Sequence, residues 1–283
     1  MEFIVHDTLS AMAELLSGPL EERPSKVRAM LEPMRSAIPM PGDGVDLHHM
    51  GGGFRVDRED PRYLEAVERL VSVDLLGQIS SALSSASALL GDFPQPERLQ
   101  VMFVLGNPDD AYLMDVTGGY YGMGGSGEWL YVVAWPTEEN IGRIAYCAVH
   151  EFHHNVRFRS VVWDPATVTV GEHVMAEGLA EAFVRELAGP SAMGPWSSRV
   201  TGAEFDRAFE LTMADIGLQG MQNTPGFVLG DTAAVRFGGQ PRGIPDMSGY
   251  AVGLHLVDKY LAASGKSAVD CTALPAAEML VTV

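Results

Sequence analysis

Residues 146–158 read YCAVHEFHHNVRF and place three of the chain's eight histidines, with one glutamate, in five consecutive positions. His150 and His154 are four residues apart. On an α-helix that spacing puts both imidazoles on one face, a single turn apart, where both reach one ion. Glu151 is displaced by about 100° around the axis. It therefore stands beside such an ion, where a carboxylate accepts a proton from water that the ion has acidified. His153 falls about 60° from His150 and is read as lining or supporting the cleft, not as a ligand. The chemistry on offer is metal-assisted hydrolysis.

A tetrahedral catalytic metal needs a third protein ligand and an open position. The metzincin pattern would require Gly at 157 and His at 160, but the chain has Arg157 and Ser160, which excludes that class. A glutamate from a following helix is the other arrangement, and Glu177 and Glu181 lie 23 and 27 residues after His154. They form an i, i+4 pair on an otherwise apolar helix, VMAEGLAEAFV. Like charges at that spacing destabilise a helix by about 0.2–0.5 kcal/mol. A cation held between two helices resolves the conflict: Glu177 binds it, and Glu181 accepts a hydrogen bond from a ligating imidazole. His173, Glu172 and Asp164 are the other candidates for third ligand, His173 because three histidines also suit zinc.

These residues need elements to hold them. Ile141, Ile144, Ala145, Ala148 and Phe152 recur at three- and four-residue steps and lead into the histidines, so the motif sits on a helix. A second helix is expected over 171–189, stopped by Gly189-Pro190, and a third over 246–265, capped by Asp246 or Ser248 and ended by Gly265. RLQVMFVLG (98–106) reads as a buried strand and GEWLYVVAW (127–135) as another, entered from the Gly-rich loop TGGYYGMGGSG (117–127). That loop lacks the Lys-Ser/Thr ending of a phosphate loop and opens a strand, not a helix. The first ninety residues look helical, with one apolar stripe over 61–90, and PMPGDGVDLHHMGGGF (39–54) reads as a loop in which His48 and His49 are solvated.

Composition narrows the partners. A net charge of −18 repels phosphate backbones and anionic lipid, so no nucleic acid and no membrane is expected as partner. Two cysteines are too few for a disulfide framework, and MEFIVHDTLSAMAELL has acidic residues where a secretory signal would have basic ones. A soluble, cytoplasmic protein is expected.

Taken in order, AVHEFHHNVRF, MAEGLAEAFVRELAGPSAMGPW and SGYAVGLHLVDKYL resemble the successive signatures of the YjaZ-like predicted zinc-dependent proteases. Their helix pair is similar to that of gluzincin metallopeptidases such as thermolysin. The resemblance covers 95–283, a zinc metallopeptidase-like catalytic domain, and leaves 1–94 as an N-terminal helical region. It implies an α+β fold, mainly helical, with a small mixed sheet packed on the H-E-x-x-H helix. It further implies Zn2+ held by His150, His154 and Glu177, with Glu151 as general base and a peptide or protein as substrate. GEWLYVVAW would be the edge strand along which that peptide lies, and loop 117–127 would border the cleft. Tyr250 is the candidate donor to the developing oxyanion, with His255 a weaker one, and Arg236 or Arg242 could hold a substrate carboxylate. Two other classes share the ligand set: a non-haem iron oxygenase using the same two histidines and carboxylate, and a catalytically idle metal-binding module.

Overall fold

Two apolar runs form the centre of a four-stranded sheet in the order β1-β2-β4-β3. The computed structural model describes residues 1–38, 40–125, 127–236 and 238–281. β2 (Arg98–Leu105) and β4 (Trp129–Ala134) pair in parallel, and β4 is buried along its whole length. Such continuous Val- and Leu-rich runs suit interior strands covered on both faces. β1 (Glu2–Val5) adds in parallel to β2, and β3 (Tyr120–Met123) adds antiparallel to β4. The chain is thus α+β, with a small mixed sheet and many helices.

The helices, in chain order, are α1 (Thr8–Ser17), α2 (Arg23–Ala37), α3 (Gly44–Met50), α4 (Pro61–Ser72), α5 (Leu75–Leu90), α6 (Ile144–Ser160), α7 (Val170–Ala188), α8 (Gly202–Ala214), α9 (Pro225–Leu229), α10 (Asp231–Arg236), α11 (Ser248–Ser264) and α12 (Ala276–Leu280). They fall into two compact units. One comprises Met1–Ser84 with Pro96–Ala148 and contains the sheet; the other comprises Ser85–Gln95 with Val149–Val283. The β1–β2 pairing joins the first strand to the one that follows residue 94.

Several local expectations are corrected in the sheet-containing unit. GEWLYVVAW is not an edge strand: β4 lies between β2 and β3, and the edge on that side is β3, formed from the segment expected to be loop 117–127. The stripe over 61–90 is two helices meeting at 48°. Asp74 turns between them at φ 52°, and its carboxylate fills the space that a Cβ at Gly77 would need, 2.2 Å away. The segment 39–54 is not all loop, since the Asp43 carboxylate accepts the Val45 N–H at 2.8 Å and caps α3. His48 on α3 is buried, not solvated, with its Nε2 2.8 Å from the Phe54 carbonyl oxygen.

In the other unit α7 and α11 pack backbone against backbone. A Cβ on Gly178 would lie 2.1 Å from the Gly253 carbonyl carbon, and one on Gly253 would lie 2.1 Å from the Val174 oxygen. No side chain fits either position. Thr169 caps α7 by accepting the Glu172 N–H at 3.0 Å, and Gly189 ends it at φ 85°. α11 ends at Gly265 as expected, but begins without a side-chain cap. Met247 takes the left-handed conformation there, and Asp246 instead accepts from the Thr232 N–H and hydroxyl.

Among the described residues no single helix is long and apolar enough to cross a membrane; the bent pair α4 and α5 passes only when its two members are taken together.

Gly178→Ala should destabilise the chain by about 2–3 kcal/mol in urea unfolding, the cost of forcing volume into a closed contact. Gly142→Ala, at a position with open space, should be nearly neutral; equal effects would refute the contact. His48 has its pKa pushed down from 6.5 to about 4, chiefly by burial. The unfolded chain takes up that proton first, so the contribution is complete above pH 6.5 and is lost as pH falls toward 4. His48→Gln should flatten this decline by about 3 kcal/mol; an unchanged pH dependence would overturn the assignment.

Candidate metal centre

α6 presents His150, Glu151 and His154, and α7 presents Glu177 and Glu181, all buried. His150 Nε2 and His154 Nε2 are 3.1 Å apart, and Glu177 Oε2 lies 3.0 Å from the first and 3.3 Å from the second. Three lone-pair atoms converge on one point. A tetrahedral zinc with bonds of about 2.0–2.1 Å holds its ligands about 3.3 Å apart, so these donors already stand close to the spacing such an ion requires. Among the described residues, this is the one group of three whose ligand atoms meet in this way.

The other nitrogen of His150 fixes its orientation. Nδ1–H donates to Glu181 Oε1 at 2.8 Å, so Nε2 is the ring nitrogen that faces the cluster. Burial opposes charge on His150, but its hydrogen bonds to Glu177 and Glu181 prevail and raise its pKa well above that of a free imidazole. Burial likewise opposes charge on Glu177, and the attraction of His154 and His150 overrides it, holding that carboxyl well below the usual range. Without metal, a proton on His150 therefore supplies the positive charge that the carboxylates require. Glu151 is pushed the other way: burial raises its pKa, opposed only in part by His150 and His154. A carboxylate raised in this manner is better matched to proton transfer near neutrality.

The remaining candidates sort out by their contacts. His173 is not in the three-atom cluster; its Nδ1 is 2.7 Å from Thr224 Oγ1 and its Nε2 3.7 Å from Glu177 Oε1. Glu172 is committed to Arg157 and to the Ala276 N–H, and Asp164 to the Ala166 N–H. His153 is fully buried, stacked on Phe183 at 5.1 Å, with burial holding its pKa well below the ordinary value. It belongs to the packing of the unit and does not line a cleft.

The Tyr250 ring lies 5.8 Å from that of His150, so α11 brings it to the cluster, whereas His255 packs on Phe205 and Phe209. Arg242 pairs with Asp215 at 3.3 Å and lies over the Phe227 ring.

Two aromatic groups escaped sequence reasoning. Trp196, 3% exposed, stands edge-on to His150 at 5.7 Å and 5.3 Å from Tyr250. Phe158 stacks on His154 at 5.2 Å and on Trp163 at 3.5 Å. One turn on from His154, Phe158 was available from helical spacing; Trp196 lies in a four-residue 3-10 turn, Pro195–Ser198, too short for any period to betray it.

Residues 79–281 match the family described as predicted Zn-dependent protease (DUF2268), and the chain belongs to that family. It is 30% identical over 209 residues to the uncharacterized protein YjfC of Bacillus subtilis (strain 168), covering 71% of this chain and 69% of that one. It is 31% identical over 143 residues to the uncharacterized protein YjaZ of the same organism, covering 50% of this chain and 51% of that one. No solved structure matches.

Zinc binding should displace the His150 proton. Titration calorimetry in buffers of different ionisation enthalpy should find about one proton released per zinc at pH 7, with affinity falling as pH is lowered. Binding without proton release would contradict the arrangement.

Proposed function

We propose that this chain is a zinc-dependent metallopeptidase with a gluzincin-type catalytic core, its chemistry carried by the unit that contains Val149–Val283. The observation that supports this most directly is the convergence of His150 Nε2, His154 Nε2 and Glu177 Oε2 on one point, with Glu151 next along the same helix. Zinc bound by those three atoms would supply a Lewis acid that polarises a carbonyl oxygen and lowers the pKa of water toward ~7.

The chain's own groups do the rest. Glu151, its pKa raised by burial, takes the proton of the attacking water and returns it to the leaving amide nitrogen. Glu181 keeps His150 in the tautomer whose Nε2 faces inward. The Tyr250 phenol, on the His150 side of the cluster, donates to the oxygen on which negative charge develops. The substrate is a peptide or protein. The buried thiols of Cys147 and Cys271 accord with a cytoplasmic setting.

Cleavage of a fluorogenic peptide library should be abolished by a chelator and restored by zinc. Glu151→Gln should keep its zinc while losing at least about 100-fold in turnover, the usual yield of a positioned proton-transfer group. Full turnover by a zinc-loaded Glu151→Gln chain would remove Glu151 from the mechanism.

A further inference from the structure

Glu181 makes contacts on both its oxygens. Oε1 accepts from His150 Nδ1 at 2.8 Å, and Oε2 accepts the main-chain N–H of Gly194 at 2.9 Å, with the Ser197 hydroxyl at 3.5 Å. Glu181 is 1% exposed, so water does not compete for either oxygen. In that low-dielectric setting each hydrogen bond restricts the carboxylate more strongly than it would at the surface.

Gly194 occupies its place for a reason of space. Its φ of −62° suits any residue, but an added Cβ would lie 2.4 Å from the Trp196 ring. The indole therefore lies directly on the Gly194 backbone. The same ring meets His150 edge-on at 82° and reaches Tyr250, so one side chain touches the turn that holds Glu181, the ring that Glu181 holds, and the tyrosine beside it.

We infer that the turn Gly194–Trp196 is a positioning element of the metal centre. Trp196 keeps the Gly194 N–H on Glu181, Glu181 fixes the plane and tautomer of His150, and zinc affinity depends on a tryptophan that carries no ligand atom. The inference rests on the reading of the cluster as a zinc site. A His150 released from Glu181 can turn about its side-chain bonds, and the Nε2 lone pair is then correctly aimed only part of the time.

The test uses the full-length chain, stripped of metal, with zinc affinity measured by competition against a chromophoric chelator. Trp196→Ala and Glu181→Gln should each weaken zinc binding about 10- to 100-fold, the usual effect of removing a partner of a ligand. The double variant should bind no more weakly than the worse single one, because both changes break the same chain of contacts. Trp196→Phe, which keeps a ring over Gly194, should recover most of the loss. Losses that multiply, or a Trp196→Ala chain with wild-type affinity and merely a lower melting temperature without metal, would overturn the inference. If Trp196→Ala does not fold, Trp196→Leu takes its place in the same cycle. A wild-type chain that takes up no zinc would instead overturn the underlying functional reading.

Discussion

Two carboxylates buried one turn apart on α7 must be answered by positive charge. Glu177 and Glu181 are 6% and 1% exposed, and at such depth like charges repel far more strongly than in water. His150 and His154 face them from α6, with His150 Nε2 3.0 Å and His154 Nε2 3.3 Å from Glu177 Oε2. The same two helices are tied a second time, because the fully buried Arg157 of α6 pairs with Glu172 in the first turn of α7 and also donates to the Thr272 carbonyl oxygen at 3.0 Å. One tie brings the three possible ligand atoms together and the other holds the helices in register. Buried ion pairs recover little more than their cost of desolvation. The stability of this unit therefore comes from apolar burial around them, at Phe152, Val156, Val174, Leu179 and Phe183 among others.

The core of this arrangement was legible in the sequence because it is periodic. His150 and His154 recur at the helical step, and so do Glu177 and Glu181; a regular helix turns such spacing into direction without further information. Glu181 was readable for the same reason, as a second acid that an apolar helix has no other use for. The strands β2 and β4 could be read from their apolar runs and bounding turns.

The features that escaped depend on tertiary contacts or on single residues with special backbone. β1 is four residues long and is defined by its pairing with β2, nearly a hundred positions away in the chain. The break between α4 and α5 is set by one left-handed aspartate inside an unbroken apolar stripe. β4 has the composition of any strand, and its interior position follows from β3, which sits in a Gly-rich segment that reads as loop. His48 and His153 look like candidate ligands by type, yet burial makes each of them a neutral packing residue. Adjacent histidines 153 and 154 thus part company because of the face each occupies: one meets Phe183, the other Glu177.

The glycine contact between α7 and α11 bears on how this unit responds to whatever it binds. Gly178 lies next to Glu177, and Gly253 is three residues from Tyr250, about 4.5 Å along the helix axis. With main chain resting on main chain there is no layer of side chains to shear, and layers of that kind are what let packed helices slide by an ångström or two. The span from Glu177 to Tyr250 behaves as a fixed jig, cut to one width. On the proposed function, differences in the size or shape of a substrate would be absorbed by the loops around the helix pair, with the helices as the gauge.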